Sequence, residues 1–330
     1  MKRTIYFVIL LLVTGYACKK ETREVEVLPP APQLMQVLKT NFQYSIFLHG
    51  IMRTGLDKML DSAGPFTLFV PDNIGFASIG ITKETDLDTM DLQRLTTLLQ
   101  YHIVREMMYY QDIPKTVDNP YRAVNGDTLY VSRPIKDLPP NGSVPLQMTV
   151  NGIVVKNINV FAANGVIHVL QNKVLNVPDM TIKDFLLQRE DLTHLVTALK
   201  KFGLLDQLDQ RGPFTVLASN NNSFDYYGLS PDTLNTALYK PFFFSCGILR
   251  TRFFVNDFIL MKTEENGPSQ FNYYTPDGIV TPTPNVVSVN DGYTPLGDYS
   301  PQWVSTDHFM SNGVVHIIEG LLIYPENALK

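Results

Sequence analysis

Apolar positions follow helical spacing in the first part of each half of the chain and strand spacing later. Leu192, Leu195, Val196 and Leu199 fall at i, i+3, i+4 and i+7, which predicts one apolar helix face. Gly203 then offers the left-handed residue that commonly ends helices. Tyr44, Phe47, Leu48, Ile51 and Gly55 repeat that design, and Leu56 to Leu60 and Leu204 to Leu208 predict a short second helix in each half. A further helix is expected over Asp91 to Tyr101, with Leu92, Leu95, Leu98 and Leu99 on one side. Gly64-Pro65 and Gly212-Pro213 predict turns leading into strands at Phe66 to Val70 and Phe214 to Ala218. Asn125-Gly126 and Asn151-Gly152 each lie between apolar runs and predict hairpins with type I′ turns, because Asn-Gly tolerates positive φ. Thr181-Ile182-Lys183-Asp184 is a capping-box pattern that opens the second half after Pro178. The sum is an α+β unit used twice.

The duplication is explicit at an offset of 148 residues. Gly64-Pro65-Phe66-Thr67 returns as Gly212-Pro213-Phe214-Thr215, and Asn164-Gly165-Val166-Ile167-His168 returns as Asn312-Gly313-Val314-Val315-His316. Asn73 and Phe76 map onto Asn221 and Phe224. A period this long is a domain and not a solenoid unit.

These motifs resemble the fasciclin domain family. Gly64 to Pro71 with Asn73 and Phe76 matches the family's Gly-Pro-Phe-Thr-hydrophobic-Phe-hydrophobic-Pro run. Asn164 to Val169 and Asn312 to Ile317 match its Asn-Gly-hydrophobic-Ile-His run, and Leu98 to Val104 matches its Tyr-His motif. The second copy has diverged: Ala218-Ser219-Asn220 replace Val-Pro-Asp, and Phe244-Ser245-Cys246-Gly247 stands in the Tyr-His region. The resemblance implies two tandem domains over 33–178 and 179–330, each a wedge-shaped β-sandwich with a helical layer. It also implies adhesion or ligand binding without a cofactor. In animal relatives the Tyr-His region is associated with integrin binding, which makes Tyr101 and His102 candidate partner-binding residues.

The start of the chain changes the picture of where it works. Lys2 and Arg3 precede an apolar run from Ile5 to Val13, too short to span a bilayer and of the length of a signal-peptide core. Thr14-Gly15-Tyr16-Ala17-Cys18 resembles the bacterial lipobox, in which the cysteine sulfur receives a lipid. The reading is a lipoprotein signal peptide over 1–17, a lipid at Cys18 and a charged, Pro-rich tether over 18–32. It places the protein in the cell envelope, anchored by lipid, with the outer membrane the expected site and either the surface or the periplasm the side it faces. Cys246 is the only other cysteine and sits in an apolar stretch, so no disulfide framework is implied. Net charge is −5, and −7 once Lys2 and Arg3 leave with the leader, with no basic block, which disfavours nucleic-acid partners.

Candidate chemistry is sparse. His168 and His316 are repeat-equivalent and flanked by apolar strand residues, as expected of imidazoles bonded inside their own domains. No His-Glu-x-x-His, cysteine cluster, nucleophile elbow or phosphate loop accompanies them, so neither a metal nor an enzymatic activity is expected. Asp86 and Asp88 read as helix-capping acids. The other interaction candidate is the Pro-rich stretch from Pro268 to Trp303, where Tyr273, Tyr274, Tyr293, Tyr299 and Trp303 make a stacking platform for a sugar or a side chain. Asp61-Ser62-Ala63, Asp88-Thr89-Met90, Asp127-Thr128-Leu129 and Asp232-Thr233-Leu234 resemble a three-residue O-glycosylation pattern of exported bacterial proteins. The function expected is adhesion or binding to a protein or matrix partner; the alternative is glycan capture for a polysaccharide uptake system.

Overall fold

The computed structural model describes residues 30–136, 148–236, 238–239, 241–261, 273–275, 278–282, 287–290 and 301–322. In the first domain the helices are α1 (Leu34–Thr40), α2 (Ser45–Thr54), α3 (Asp57–Leu60), α4 (Asn73–Ala77) and α5 (Leu92–Tyr101). Its strands are β1 (Phe66–Pro71), β2 (Ile103–Val104), β3 (Asn119–Arg122), β4 (Thr128–Ser132), β5 (Thr149–Val150), β6 (Ile153–Ala162) and β7 (Gly165–Leu170). The second domain has α6 (Ile182–Leu187), α7 (Thr193–Lys201), α8 (Asn221–Tyr226), α9 (Pro231–Thr236), α10 (Phe242–Ser245) and α11 (Val255–Leu260). Its strands are β8 (Phe214–Ser219), β9 (Ile248–Leu249), β10 (Tyr273–Thr275), β11 (Gly278–Pro282), β12 (Val287–Asn290), β13 (Gln302–Met310) and β14 (Gly313–Glu319).

Local signals explain most element ends. Gly55 closes α2 at φ 71°, and Gly203 follows α7 at φ 64°. Asp91 caps α5 by accepting from the Arg94 N–H, and Thr181 with Asp184 forms the expected capping box of α6. Asn151 and Gly152 both take positive φ, as a type I′ turn between β5 and β6 requires. The Asn125-Gly126 hairpin departs from expectation: only Gly126 has positive φ, and five residues separate the paired Arg122 and Thr128. Leu204 to Leu208 also differs, since the turn at Asp206–Asp209 is 3-10 and not α-helical. Asp88 is no cap; it accepts from His49 Nε2 at 2.8 Å.

Strand order gives the architecture. The first domain's strands run β2-β1-β7-β6-β5-β4-β3, with β1 and β7 parallel and central. A bridge between Val104 and Ala123 brings the two edges of that sheet together, so it folds over itself into a wedge. Alternation along β1 then serves two cores. Phe66, Leu68 and Val70 face the helices with Phe47, Leu95 and Leu99, while Phe69 faces the wedge interior with Tyr101, Leu129 and Val150. In the second domain β13-β14-β8-β9 repeats β6-β7-β1-β2, and β10-β11-β12 repeats the β3-β4-β5 meander as a separate sheet. Phe214, Val216 and Ala218 face the second helical layer, and Leu217 faces the other side. The halves share one plan.

Candidate functional site

The motif residues lock the ends of the two central strands. Asn164 Oδ1 accepts the Leu34 N–H at 2.9 Å, and its Nδ2 donates to the carbonyls of Leu60 and Ser62 at 2.7 and 2.8 Å. Asn312 makes the same three bonds with Ile182, Leu208 and Gln210 at 2.9, 2.8 and 3.0 Å. One amide thus ties the first helix, the helix-to-strand turn and the last strand of each domain. The glycines are needed because backbones touch there. A Cβ on Gly165 would meet Phe66 O at 2.4 Å, and one on Gly64, which has φ +77°, would meet Asn164 O at 2.3 Å. Gly64-Pro65 and Gly212-Pro213 are both cis.

Thr67 and His168 hold the extended segment, Glu106 to Met108, that follows β2. The Thr67 hydroxyl donates to Glu106 O at 2.6 Å and accepts from Met108 N at 2.9 Å. Thr215 does the same with Thr251 and Phe253. His168 Nε2 donates to Met108 O at 2.7 Å while Nδ1 accepts from Asn159 N, and the ring stacks on Phe69. His316 bonds Phe253 O and Asp307 N in the same way. Both rings are fully buried. Burial pushes the His168 imidazole down to about 4 and lowers that of His316. Each is a neutral strut inside its own domain, not a ligand. Among the described residues no three His, Cys, Asp or Glu side chains converge as a metal set.

The polar group without a repeat counterpart lies at the domain junction. Arg252 Nη1 donates to both Asp118 carboxylate oxygens at 3.1 and 3.2 Å, and its guanidinium lies 3.5 Å over the Tyr130 ring. Asp118 and Tyr130 belong to the first domain, so this pair, with Arg252 buried and Asp118 half-buried, joins the two. Asn256 Nδ2 donates to Gly152 O at 2.9 Å, and Leu260 O accepts from Ile135 N at 3.1 Å across the same seam. Phe254 fits against Gly152 so closely that a Cβ there would lie 2.7 Å from its ring. Asp257, fully buried beside Ser132, has its carboxyl pushed up to about 7 by desolvation. Burial also raises the Asp118 carboxyl, with the Arg252 charge opposing the shift. A groove of about 540 Å³ opens beside the pair, lined in part by Pro120, Tyr130, Arg211 and Pro213. Arg252→Ala is expected to cost about 2–5 kcal/mol, because it leaves a partly buried carboxylate unpaired at an interface. Scanning calorimetry is expected to show one transition for the native chain and two for the variant; a single unshifted transition in the variant would disprove the coupling.

The expected interaction residues are placed differently. Tyr101 and His102 are withdrawn from the candidate partner-binding set, since both are fully buried. The Tyr101 hydroxyl donates to Thr128 O and accepts from Asn151 Nδ2, and His102 bonds Leu98 O and Leu175 N. Trp303 is half-buried, with its ring over Phe258 and beside His316, 6.5 and 5.3 Å between centroids. Tyr273 and Tyr274 lie on β10, and only their backbone is described. Tyr293, Tyr299 and Cys18 lie outside the described residues. Asp118, Arg252 and Asp257 escaped the sequence reading. The one available signal was Arg252 standing before Phe253-Phe254 where the first copy has Met107.

Comparison with known proteins agrees with this geometry. The Fasciclin domain model matches residues 42–178 and again 190–325. Stabilin-1 from Homo sapiens is 27% identical over 294 residues, covering 83% of this chain and 10% of its own length. Transforming growth factor-beta-induced protein ig-h3 from Sus scrofa is 29% identical over 150 residues, covering 46% of this chain and 20% of its own. The chain therefore spans a fifth or less of these relatives. A solved pair of FAS1 domains from the insect cell adhesion molecule fasciclin I aligns over 86% of this chain and 97% of its own, with 16% identity and a TM-score of 0.35. Two copies of one motif set, each spent on the same backbone struts and each matched by the same family model, mean that this chain belongs to the fasciclin domain family.

Proposed function

We propose that this protein is a lipid-anchored component of a bacterial cell envelope whose paired fasciclin domains bind a protein or matrix partner. The observation that carries the binding role is the use of every recurring polar side chain. Thr67, Asn164 and His168, with Thr215, Asn312 and His316, are engaged with backbone groups, so they maintain shape and leave recognition to the surface. Membership of a family associated with adhesion supports the same role. The anchor rests on the leader, with its apolar Ile5 to Val13 run and Cys18 after Ala17. The glycan alternative keeps a half-buried Trp303 whose ring is partly engaged with Phe258 and His316, so the protein partner is preferred on the family's association with adhesion.

Metabolic labelling with a fatty acid tests the anchor in the native host. The wild-type chain should carry label and fractionate with membranes; Cys18→Ser should lose both. Equal fractionation of the two would reject lipidation at this residue. For the recognition role, retention of the chain on immobilised polysaccharide with saturable affinity would favour the glycan reading over the protein partner.

A further inference from the structure

Repeat symmetry separates side chains that the fold needs from those that one domain alone has acquired. The Asn312 amide donates to Gln210 O as the Asn164 amide donates to Ser62 O, so Arg211 stands where the first domain has Ala63. His316 bonds Phe253 O as His168 bonds Met108 O, so Arg252 stands where the first domain has Met107. Neither arginine is required to build a fasciclin domain. Both line the groove of about 540 Å³ at the junction, where the second domain faces Pro120 of β3 and Tyr130 of β4.

Their donors are not spent inside the chain. Arg252 is 5% exposed, and a buried guanidinium ordinarily bonds along all of its edges. Here a single nitrogen, Nη1, serves both Asp118 oxygens. Nε is buried and bonds nothing, and Nη2 donates to no described residue. The Tyr130 ring takes the face of the guanidinium, which leaves its in-plane N–H groups for another acceptor. Arg211 is exposed and, among the described residues, pairs with no carboxylate; Asp209, two residues before it, lies 3.5 Å from Lys183 instead.

The charges of the groove set the ligand class. Asp118 and Asp209 line it beside the two arginines, so a polyanion meets repulsion that cancels the attraction. A neutral ligand leaves the guanidinium donors unmet. One carboxylate fits, because its two oxygens match the N–H groups of arginine. A hydroxyl or amide donor beside that carboxylate gives the two aspartates something to accept. Pro120 and Pro213 stiffen the walls, and the volume lies within the roughly 300–1,000 Å³ of small-molecule sites.

We propose that this inter-domain groove binds a small monocarboxylate that carries neighbouring hydrogen-bond donors, held between Arg211 and Arg252. A sugar acid and an amino-acid derivative share that chemistry. The site does not depend on the protein-partner reading, since it needs no second protein surface.

Calorimetric titration of the full chain tests it with two acids, galacturonate and N-acetylglutamate α-amide, and with their neutral counterparts galactose and N-acetylglutamine amide. Saturable binding of at least one acid is expected, with its neutral counterpart at least tenfold weaker. The acid that binds more tightly tells which carrier the groove takes. Arg211→Ala installs the first domain's own residue at an exposed position. It should weaken the acid at least tenfold without shifting thermal unfolding; should it misfold, Arg211→Gln serves for the same comparison. Nitrogen-15 spectra read the position directly. The Arg252 Nε–H resonance, assigned through nuclear Overhauser contacts to the Tyr130 ring, should move as the acid saturates. No binding of either acid, equal binding of the neutral counterpart, an unmoved Nε–H, or wild-type affinity in the folded Arg211 variant would overturn the proposal.

Discussion

Asn164→Ala is expected to lower the unfolding free energy of the first domain by about 3–5 kcal/mol, among the largest effects of any single substitution outside the aromatic core. The amide is 3% exposed and serves three backbone groups, the Leu34 N–H and the Leu60 and Ser62 carbonyls. Removing a partner from a buried polar group costs about 1–3 kcal/mol each. Two of the three lie in buried surroundings, while Ser62 is exposed and its carbonyl is recovered in part by water. The sum falls near the middle of the range those terms allow. Asn164→Asp tests the mechanism more sharply than alanine does. It keeps an acceptor for Leu34 but points a carboxylate oxygen at two carbonyl oxygens, so it should cost at least as much despite its near-identical shape. Asn312→Ala should act on the second domain in the same way, since its three bonds have the same partners one repeat later. Urea unfolding followed by tyrosine and tryptophan fluorescence measures each variant. A loss below about 1 kcal/mol for Asn164→Ala would show that the strand ends are held by packing alone.

The same residues show what was legible in the sequence. Periodicity and capping patterns located α2, α5, α6 and α7 because both depend on neighbours within one or two turns. Recurrence at a fixed offset marked Asn164, His168 and their partners as structural, since a polar side chain repeated in both halves among apolar neighbours has a job inside each half. Exposure was not legible in the same way. Tyr101 and Trp303 both carry polar tips that suit a surface, yet Tyr101 finds Thr128 and Asn151 inside the wedge, and Trp303 lies half-buried over Phe258. Whether an aromatic is covered depends on which distant strand folds over it, and spacing along the chain does not report that. The junction was hidden for the same reason. Arg252 becomes meaningful only beside Asp118, 134 residues earlier and in the other domain.

Acidification from pH 6.5 toward 4 should destabilise the folded chain steeply, and buried imidazoles are the cause. His102 and His168 are both held neutral, with burial pushing each down to about 4 against an ordinary value of 6.5. In His102 the Nδ1–H donates to Leu98 O and Nε2 accepts from Leu175 N; in His168 the roles of the nitrogens are exchanged. A second proton on either ring would set N–H against N–H. Between pH 6.5 and 4 the unfolded chain therefore binds more protons than the folded one, and stability rises with pH across that window. The contribution is complete above 6.5 and is lost progressively as pH falls to 4, about 3 kcal/mol for each ring at about 1.4 kcal/mol per pH unit. His316 is lowered for the same reason and adds to the loss. Asp257 works with the opposite sign. Its folded value of about 7 exceeds the ordinary 3.8, so the folded chain takes up that proton first, and stability falls as pH rises from 3.8 to 7. Asp257 thus offsets about one imidazole in the shared range and the raised Asp118 carboxyl adds to that offset, while the remaining rings carry the acid sensitivity. Asp257→Asn removes its part of the offset: the variant should lose stability more steeply than wild type below pH 6.5 and gain relative to it near pH 7.5. Urea midpoints at pH 7.5, 6.5, 5.5 and 4.5 measure both slopes. A wild-type midpoint that stays level or rises on acidification would contradict the neutral-strut assignment of the histidines, and parallel slopes for wild type and Asp257→Asn would show that the carboxyl at the junction is ionised across the whole range.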